Sequence, residues 1–272
     1  MSNRLKVENN PKITALYTAF SQDFGPDFRF SGEIHNFWEL VCVTSGQISV
    51  AADDQIFDLK KGQAILHSPM QFHNITAMGN TPSSVSIFTF SGENIPQLQN
   101  KICEIRDLSV VKMLVELANK YYISDFGFDI KDTKSKNNHH LIYVKQLELF
   151  LLTLETDFSN KAQNNSKCAE NYSVIVNTLN NNLNKRLSVT ELACLCNMSE
   201  INLQKTFSHY AGVGVMEYFN RVKMRKAIEL LEEGLSVKET ALRLGFHDQN
   251  YFSAVFKRII GYSPTHITKS HR

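Results

Sequence analysis

The stretch "VKETALRLGFHDQNYFSAVFKRIIGYSP" (residues 237–264) reads as two short helices broken at Gly245-Phe246. Ser236, just before it, stands three residues ahead of Glu239, the spacing of a capping box that satisfies free amides at a helix start. Glycine tolerates the left-handed backbone that a tight turn between helices requires. Asp248 then caps a second helix, whose Phe252 and Phe256 lie one turn apart and form an inward face. Its outward positions are Gln249, Asn250, Ser253 and Lys257. A helix that only fills a core carries long charged residues outside. Here short amides and a hydroxyl stand there, groups that donate and accept hydrogen bonds in fixed patterns.

The same plan occurs once more upstream. Leu187-Ser188-Val189-Thr190-Glu191 recurs as Leu235-Ser236-Val237-Lys238-Glu239, and Ala193 recurs as Ala241. Asn197-Met198 takes the turn, Ser199 the cap, Leu203 and Phe207 the core, and Gly212 the end that Gly261 marks in the second copy. The repeat predicts two helix-turn-helix units joined by a helix over "VMEYFNRVKMRKAIELLEE". Such a unit lays its second helix in the major groove of double-stranded DNA, where bases are distinguished by donor and acceptor positions. Gln249, Asn250 and Ser253 are expected at base edges, with Lys257 nearer phosphate. In the first unit the equivalent face is Ile201, Gln204 and Lys205, Ile201 meeting a thymine methyl. Arg221, Lys223, Arg225 and Lys226 of the joining helix are expected to add positive charge.

Charge follows the same division. Residues 172–272 hold 13 Lys/Arg against 8 Asp/Glu, and the remainder holds 16 against 19. A basic third on an acidic body predicts a polyanionic partner for that third. The chain of 272 residues is long for one core, which predicts two domains. No window has the ~18 uninterrupted apolar residues of a membrane helix, and the start, "MSNRLKVENNPK", has no apolar run suited to export. The five cysteines, Cys42, Cys103, Cys168, Cys194 and Cys196, are odd in number and scattered. That excludes a disulfide framework and fits a reducing cytoplasm. Cys194 and Cys196 lack the second pair of a zinc site and read as packing residues.

Before residue 90 the runs "FWELVCVTSGQISVAA", "QIFDL", "QAILHS" and "SVSIFTF" alternate with polar turns such as Asp53-Asp54, which predicts an antiparallel barrel or sandwich. From Leu108 the apolar period becomes helical, predicting helices over 108–122 and 139–158. The second is apolar around most of its circumference, which predicts packing on the barrel on one side and on a partner subunit on the other. Between them "DIKDTKSKNN" reads as a polar loop, and residues 159–171, rich in Asn, Lys and Ser, read as a linker. The expected domains are 1–158, the linker, and 172–272.

Residues 172–271 resemble the AraC/XylS transcription regulators, most densely in "LGFHDQNYFSAVFKRIIGYSP" and more loosely in "MSEINLQKTFSHYAG". The resemblance implies two units on one rigid helix entering successive major-groove segments, and carries base reading to Ile201, Gln204, Lys205, Gln249, Asn250 and Ser253. The family often has Arg where this chain has Ala254 and Lys where it has Ser208, which alters the base preference expected of it. "HNFWELVCVTSGQISVAADDQIFDLKKGQAILHSPMQFH" resembles the cupin-like barrel that many such regulators use for effector binding or dimer contacts. That implies an α+β multidomain protein, with a cupin-like antiparallel β-barrel and helical pair before an all-α tandem helix-turn-helix domain. His35, Trp38, Glu39 and His73 are the candidate effector contacts, with Phe28, Phe30 and Phe72 able to line an apolar cavity. A metal-dependent cupin would want His-x-His, then Glu, then a later His. Phe37 occupies the second histidine position. His35, Glu39 and His73 could still hold a metal with open positions. They read rather as barrel-lining groups that serve a polar ligand or are satisfied in the core, so no metal, cofactor or catalytic set is expected. The expectation is an effector-responsive, homodimeric regulator acting more as activator than repressor, with RNA polymerase as a further partner. A cupin-type metalloenzyme with a helical accessory domain is the alternative, and Phe37 and the C-terminal repeat weigh against it.

Overall fold

Strand β2 (Trp38–Ser45) is buried on both faces, with Leu40, Val41, Cys42 and Val43 all fully enclosed, and this one strand sets the layers of the N-terminal half. The computed structural model describes residues 10–79, 82–120, 128–129, 138–156 and 166–270. In it β2 sits centrally in a seven-stranded sheet with β1 (Lys12–Phe24), β5 (Gln63–His67), β7 (Ser83–Glu93), β8 (Ile102–Glu104), β9 (Phe128–Asp129) and β10 (Glu155–Thr156), in the order β10-β8-β5-β2-β7-β1-β9. A second sheet, in the order β4-β3-β6, holds β3 (Gln47–Ala52), β4 (Gln55–Lys60) and β6 (Thr76–Ala77). The expected barrel is therefore two packed sheets that do not close into a ring. Odd-numbered Val41 and Val43 meet Ile48, Val50 and Phe57 of the second sheet between the layers. Even-numbered Leu40 and Cys42 join a different cluster beneath helices α1 (Leu108–Lys120) and α2 (His139–Thr153).

Helix α2 ends earlier than its apolar period predicts. After Thr153, Leu154 turns extended and the chain pairs as β10 with β8. The polar loop "DIKDTKSKNN" and the linker stretch 159–165 lie outside the described residues, apart from Asp129 in β9 and Asn138 at the start of α2. Helix α3 (Lys167–Asn180) already begins within the segment read as linker, capped by Ser166.

The C-terminal half follows the repeat closely. Helices α4 (Val189–Leu195) and α5 (Glu200–Ala211) form the first unit, α6 (Val215–Glu232) joins, and α7 (Val237–Arg243) and α8 (Gln249–Ile260) form the second, with α9 (Pro264–Ser270) behind. Both capping boxes are made in full, Ser188 with Glu191 and Ser236 with Glu239. The turns match bond for bond: Met198 N–H donates to Ala193 O and Phe246 N–H to Ala241 O, each at 2.9 Å. Asn197 and Gly245 take the left-handed conformation, and a Cβ on Gly245 would stand 2.7 Å from Asn184 O. Leu203, Phe207, Phe252 and Phe256 are fully buried. Cys196 is buried as expected, whereas Cys194 is exposed.

The halves are docked. Phe72, beside the second sheet, inserts among Tyr172, Phe207 and Tyr218 of the helical core, its ring edge-on to Tyr218 at 4.7 Å. The Asp53-Asp54 turn between β3 and β4 accepts from Tyr172, Ser173, Asn177 and Arg225. A Cβ on Gly212 would collide with Phe30 O at 2.7 Å, so the close approach at the end of α5 needs glycine there.

Candidate nucleic-acid interface and sensor cavity

Along α5 and α8 the capped N-terminal ends face solvent. Ile201 is 80% exposed, Gln204, Lys205, Gln249, Asn250 and Lys257 are exposed, and Ser253 is half-buried against its own helix. Asp248 caps α8 by accepting from Asn250 N–H at 2.7 Å, which leaves the Asn250 side-chain amide outward. Tyr251, which the sequence pattern assigns to neither face of this helix, is 60% exposed beside these amides. Among the described residues α5 meets the N-terminal half along its C-terminal part, where Phe207 shares a core with Phe72 and Tyr210 O accepts from the Asn74 side-chain amide. Both outward faces thus remain open while the halves are docked.

The basic residues of α6 are placed otherwise than expected. Arg221 donates to Gly32 O at 2.6 Å and pairs with Glu217. Arg225 pairs with Asp53 at 2.8 Å and donates to Met70 O. Lys223 is buried, donating to Lys185 O and Leu244 O, and burial pushes its pKa down to about 8. Lys226 pairs with Glu229 at the surface. Spacing alone reads all four as surface charge. Three are in fact structural, two of them clamping the N-terminal half.

A cavity of about 550 Å³ opens between the sheets, walled by Phe20, Phe24, Phe28, Phe30, Ile75 and Ile87, with Glu33, Glu39 and His73 at its polar end. Strand parity places Glu39 toward the cavity and sends Trp38 through the sheet to the helical side, so Trp38 is withdrawn as an effector contact. Phe72 is withdrawn from the cavity lining for the same reason, since it points into the helical core. Phe37 lies over the His35 ring, centroids 3.8 Å apart.

The polar end gathers more groups than the sequence reading named. Glu33 and His73 exchange backbone hydrogen bonds in both directions, which brings the Glu33 carboxylate within 3.9 Å of His73 Nε2. Glu39 stands 3.4 Å from Nε2 of both His35 and His73, at ion-pair distance but poorly aimed for hydrogen bonds. His67 stacks on His73 at 4.3 Å. Burial opposes ionisation of Glu39, but the two imidazoles outweigh it and hold the carboxyl well below the usual range. Burial likewise opposes protonation of His73, yet Glu39 raises its pKa above the ordinary value. Burial pushes His67 down to about 3, so it is neutral. Glu33 and His67 escaped sequence reading because each lies in a loop or buried strand with no periodic signal. Among the described residues, Glu33, His35, Glu39 and His73 are grouped closely enough to hold a metal.

Comparison with known proteins adds the lineage. A family model described as a helix-turn-helix domain matches residues 192–270, and one described as an AraC-like ligand binding domain matches residues 20–112. The HTH-type transcriptional regulator YidL of Escherichia coli strain K12 is 35% identical over 97 residues, covering 35% of this chain and 33% of its own length. The HTH-type transcriptional activator RhaR of Mannheimia succiniciproducens is 22% identical over 242 residues, covering 85% of this chain and 84% of its own. Among solved structures, ToxT from Vibrio cholerae O395 is 14% identical, covers 95% of this chain and 96% of its own, and has a TM-score of 0.38. With one family model on each half, in the order the fold presents them, the chain belongs to the AraC family of helix-turn-helix transcription regulators.

Proposed function

We propose that this chain reads a specific DNA sequence with α5 and α8, and that a small ligand in the inter-sheet cavity sets how the reading helices are held. The observation that carries the proposal is the duplicated unit with both outward faces open in the docked chain, Ile201, Gln204 and Lys205 on one and Gln249, Asn250, Ser253 and Lys257 on the other. A recognition helix needs this combination of a rigid buried face and a solvent-facing stripe of amides and cations. Effector contacts are assigned to His35, Glu39 and His73, with Glu33 added. RhaR is named an activator, and activation is the direction proposed here on that likeness. The regulator acts as a homodimer through α2, whose buried face of Val144, Leu147 and Leu151 leaves Leu141, Ile142, Leu149 and Leu152 outside.

The test is selection of duplexes from a randomised library by the full chain at two salt concentrations. Two clusters of enriched bases, roughly one helical turn (~10 bp) apart, are expected. Binding without any enrichment would overturn the proposal.

A further inference from the structure

The polar end of the cavity gathers four side chains about one place. Glu33, His35, Glu39 and His73 each turn one donor atom toward it, all within 4.8 Å of one another. The histidines are oriented from behind. His35 Nδ1 lies 3.0 Å from Phe37 O and His73 Nδ1 lies 3.1 Å from Gln71 O. A carbonyl oxygen only accepts, so each Nδ1 carries a hydrogen, and each Nε2, once it gives up any proton as a ligand must, presents its lone pair to the cluster. Both Nε2 atoms are buried without a hydrogen-bond partner. This is how metal-binding histidines are held, the remote nitrogen donating to a fixed acceptor while the near one ligates.

Distances and charge agree with that arrangement. Metal–ligand bonds of ~2.0–2.2 Å put neighbouring donors ~2.8–3.6 Å apart in octahedral or tetrahedral geometry. Glu39 stands 3.4 Å from His35 Nε2 through one oxygen and from His73 Nε2 through the other, inside that range, while Glu33, 3.9 Å from His73 Nε2, lies just outside it on a half-exposed side chain free to close. Two carboxylates and two imidazoles, the latter without their Nε2 protons once they ligate, carry a charge that a divalent cation cancels. Imidazole beside carboxylate favours a transition ion such as zinc, manganese, cobalt or nickel over calcium or magnesium. Phe37 contributes no donor, and Glu33 supplies the one that the sequence pattern lacks.

We propose that Glu33, His35, Glu39 and His73 bind one divalent transition-metal ion at the polar end of the inter-sheet cavity. Because Glu33, Glu39 and His73 also line the cavity, the ion's remaining coordination positions face that space. The proposal stands on these side chains and is independent of whether the chain reads DNA.

The experiment uses the full chain, stripped with a chelator and dialysed, then titrated separately with zinc, manganese, cobalt and nickel by calorimetry. Cys168 and Cys194 are replaced by Ser in all samples, since both are exposed thiols. One ion per chain is expected, with a cobalt absorption spectrum characteristic of nitrogen and oxygen ligands and a rise in melting temperature on loading. Glu33→Gln, on a half-exposed side chain that the fold tolerates, and Glu39→Gln should each weaken binding by at least about tenfold. The folded state of each variant is checked by circular dichroism. No saturable binding of any ion at micromolar concentration, or equal binding by wild type and a folded Glu33→Gln, overturns the proposal.

Discussion

Asn250 and Lys257 stand on one helix but do different chemistry. The Asn250 amide can donate and accept, as a paired contact with adenine requires, and each such contact discriminates by ~1–3 kcal/mol. Lys257, two turns further along the exposed face of α8, has a point charge suited to phosphate, which fixes register without reading sequence. Asn250→Ala should therefore relax preference at particular base pairs. Lys257→Ala should weaken all duplexes alike and lower the salt slope by about one. Competition binding with the selected duplex and point variants of it, at two salt concentrations, separates the outcomes; equal loss at every base for both variants contradicts the assignment. A second residue gives a pH signature. Lys223 has an ordinary pKa of 10.5, and burial lowers it to about 8 in the folded chain. Between those values the unfolded state binds more protons, so this group makes stability rise with pH from about 8 toward 10.5, while its cost is fully present below that window. Between pH 7 and pH 9.5 the thiols of Cys42 and Cys103, which burial holds protonated, act in the opposite direction, so urea unfolding at the two pH values should show a change that is more positive in the wild type than in Lys223→Met. That variant also loses two hydrogen bonds to carbonyls, so the comparison is between slopes and not levels. An identical pH response in both proteins excludes Lys223 as its source.

At the scale of elements, what could be read in advance was whatever is encoded locally. The capping boxes, the left-handed turns and the Phe pairs of the two units each lie within a few residues, and all form as the repeat predicts. Strand β2 shows the limit. Because both its faces are buried, apolar residues occupy every position from Leu40 to Val43, and no alternation tells which way Trp38 and Glu39 point. The charges of α6 fail for another reason: Arg225 meets Asp53 across 172 positions of chain, and no local spacing carries such a pairing. Helix α2 was legible in its excess of apolar surface. Leu149 is 61% and Leu152 56% exposed on the face opposite Leu147 and Leu151. Burying each in a partner would contribute about 1.5–3 kcal/mol if fully enclosed. Leu149→Lys with Leu152→Lys should convert a dimer to a monomer in sedimentation velocity with unchanged helicity. A wild-type chain that sediments as a monomer at micromolar concentration removes the α2 dimer.

For the whole molecule the decisive feature is that the segment forming the cavity's polar end also forms the seam between halves. Residues 72–74 alternate: His73 faces the cluster, while Phe72 packs into the helical core and Asn74 binds Tyr210 O of α5. His35 O accepts from Met70 N–H, and Met70 O accepts from Arg225, so a second route runs from the cluster to α6. A ligand that shifts His73 or His35 must act on contacts that hold the reading helices, and coupling of this kind is reciprocal between ligand and DNA. Arg225 is the best place to cut it. Its pairing with Asp53 and its bond to Met70 O are charge-assisted, each of a kind worth about 1.5–3 kcal/mol. Arg225→Ala removes both and leaves the capping boxes and recognition faces untouched. Calorimetry of the wild-type chain should give one cooperative transition, because docked halves share a buried seam. Arg225→Ala should separate it into two, with the half containing α3 to α9 no longer stabilised by its neighbour. Lys226→Ala, next on the same helix but paired only with Glu229, serves as the control and should melt as the wild type does. If Arg225→Ala also melts in one transition at the wild-type midpoint, Arg225 adds nothing to the seam and the route from the cluster through Met70 to α6 carries no signal.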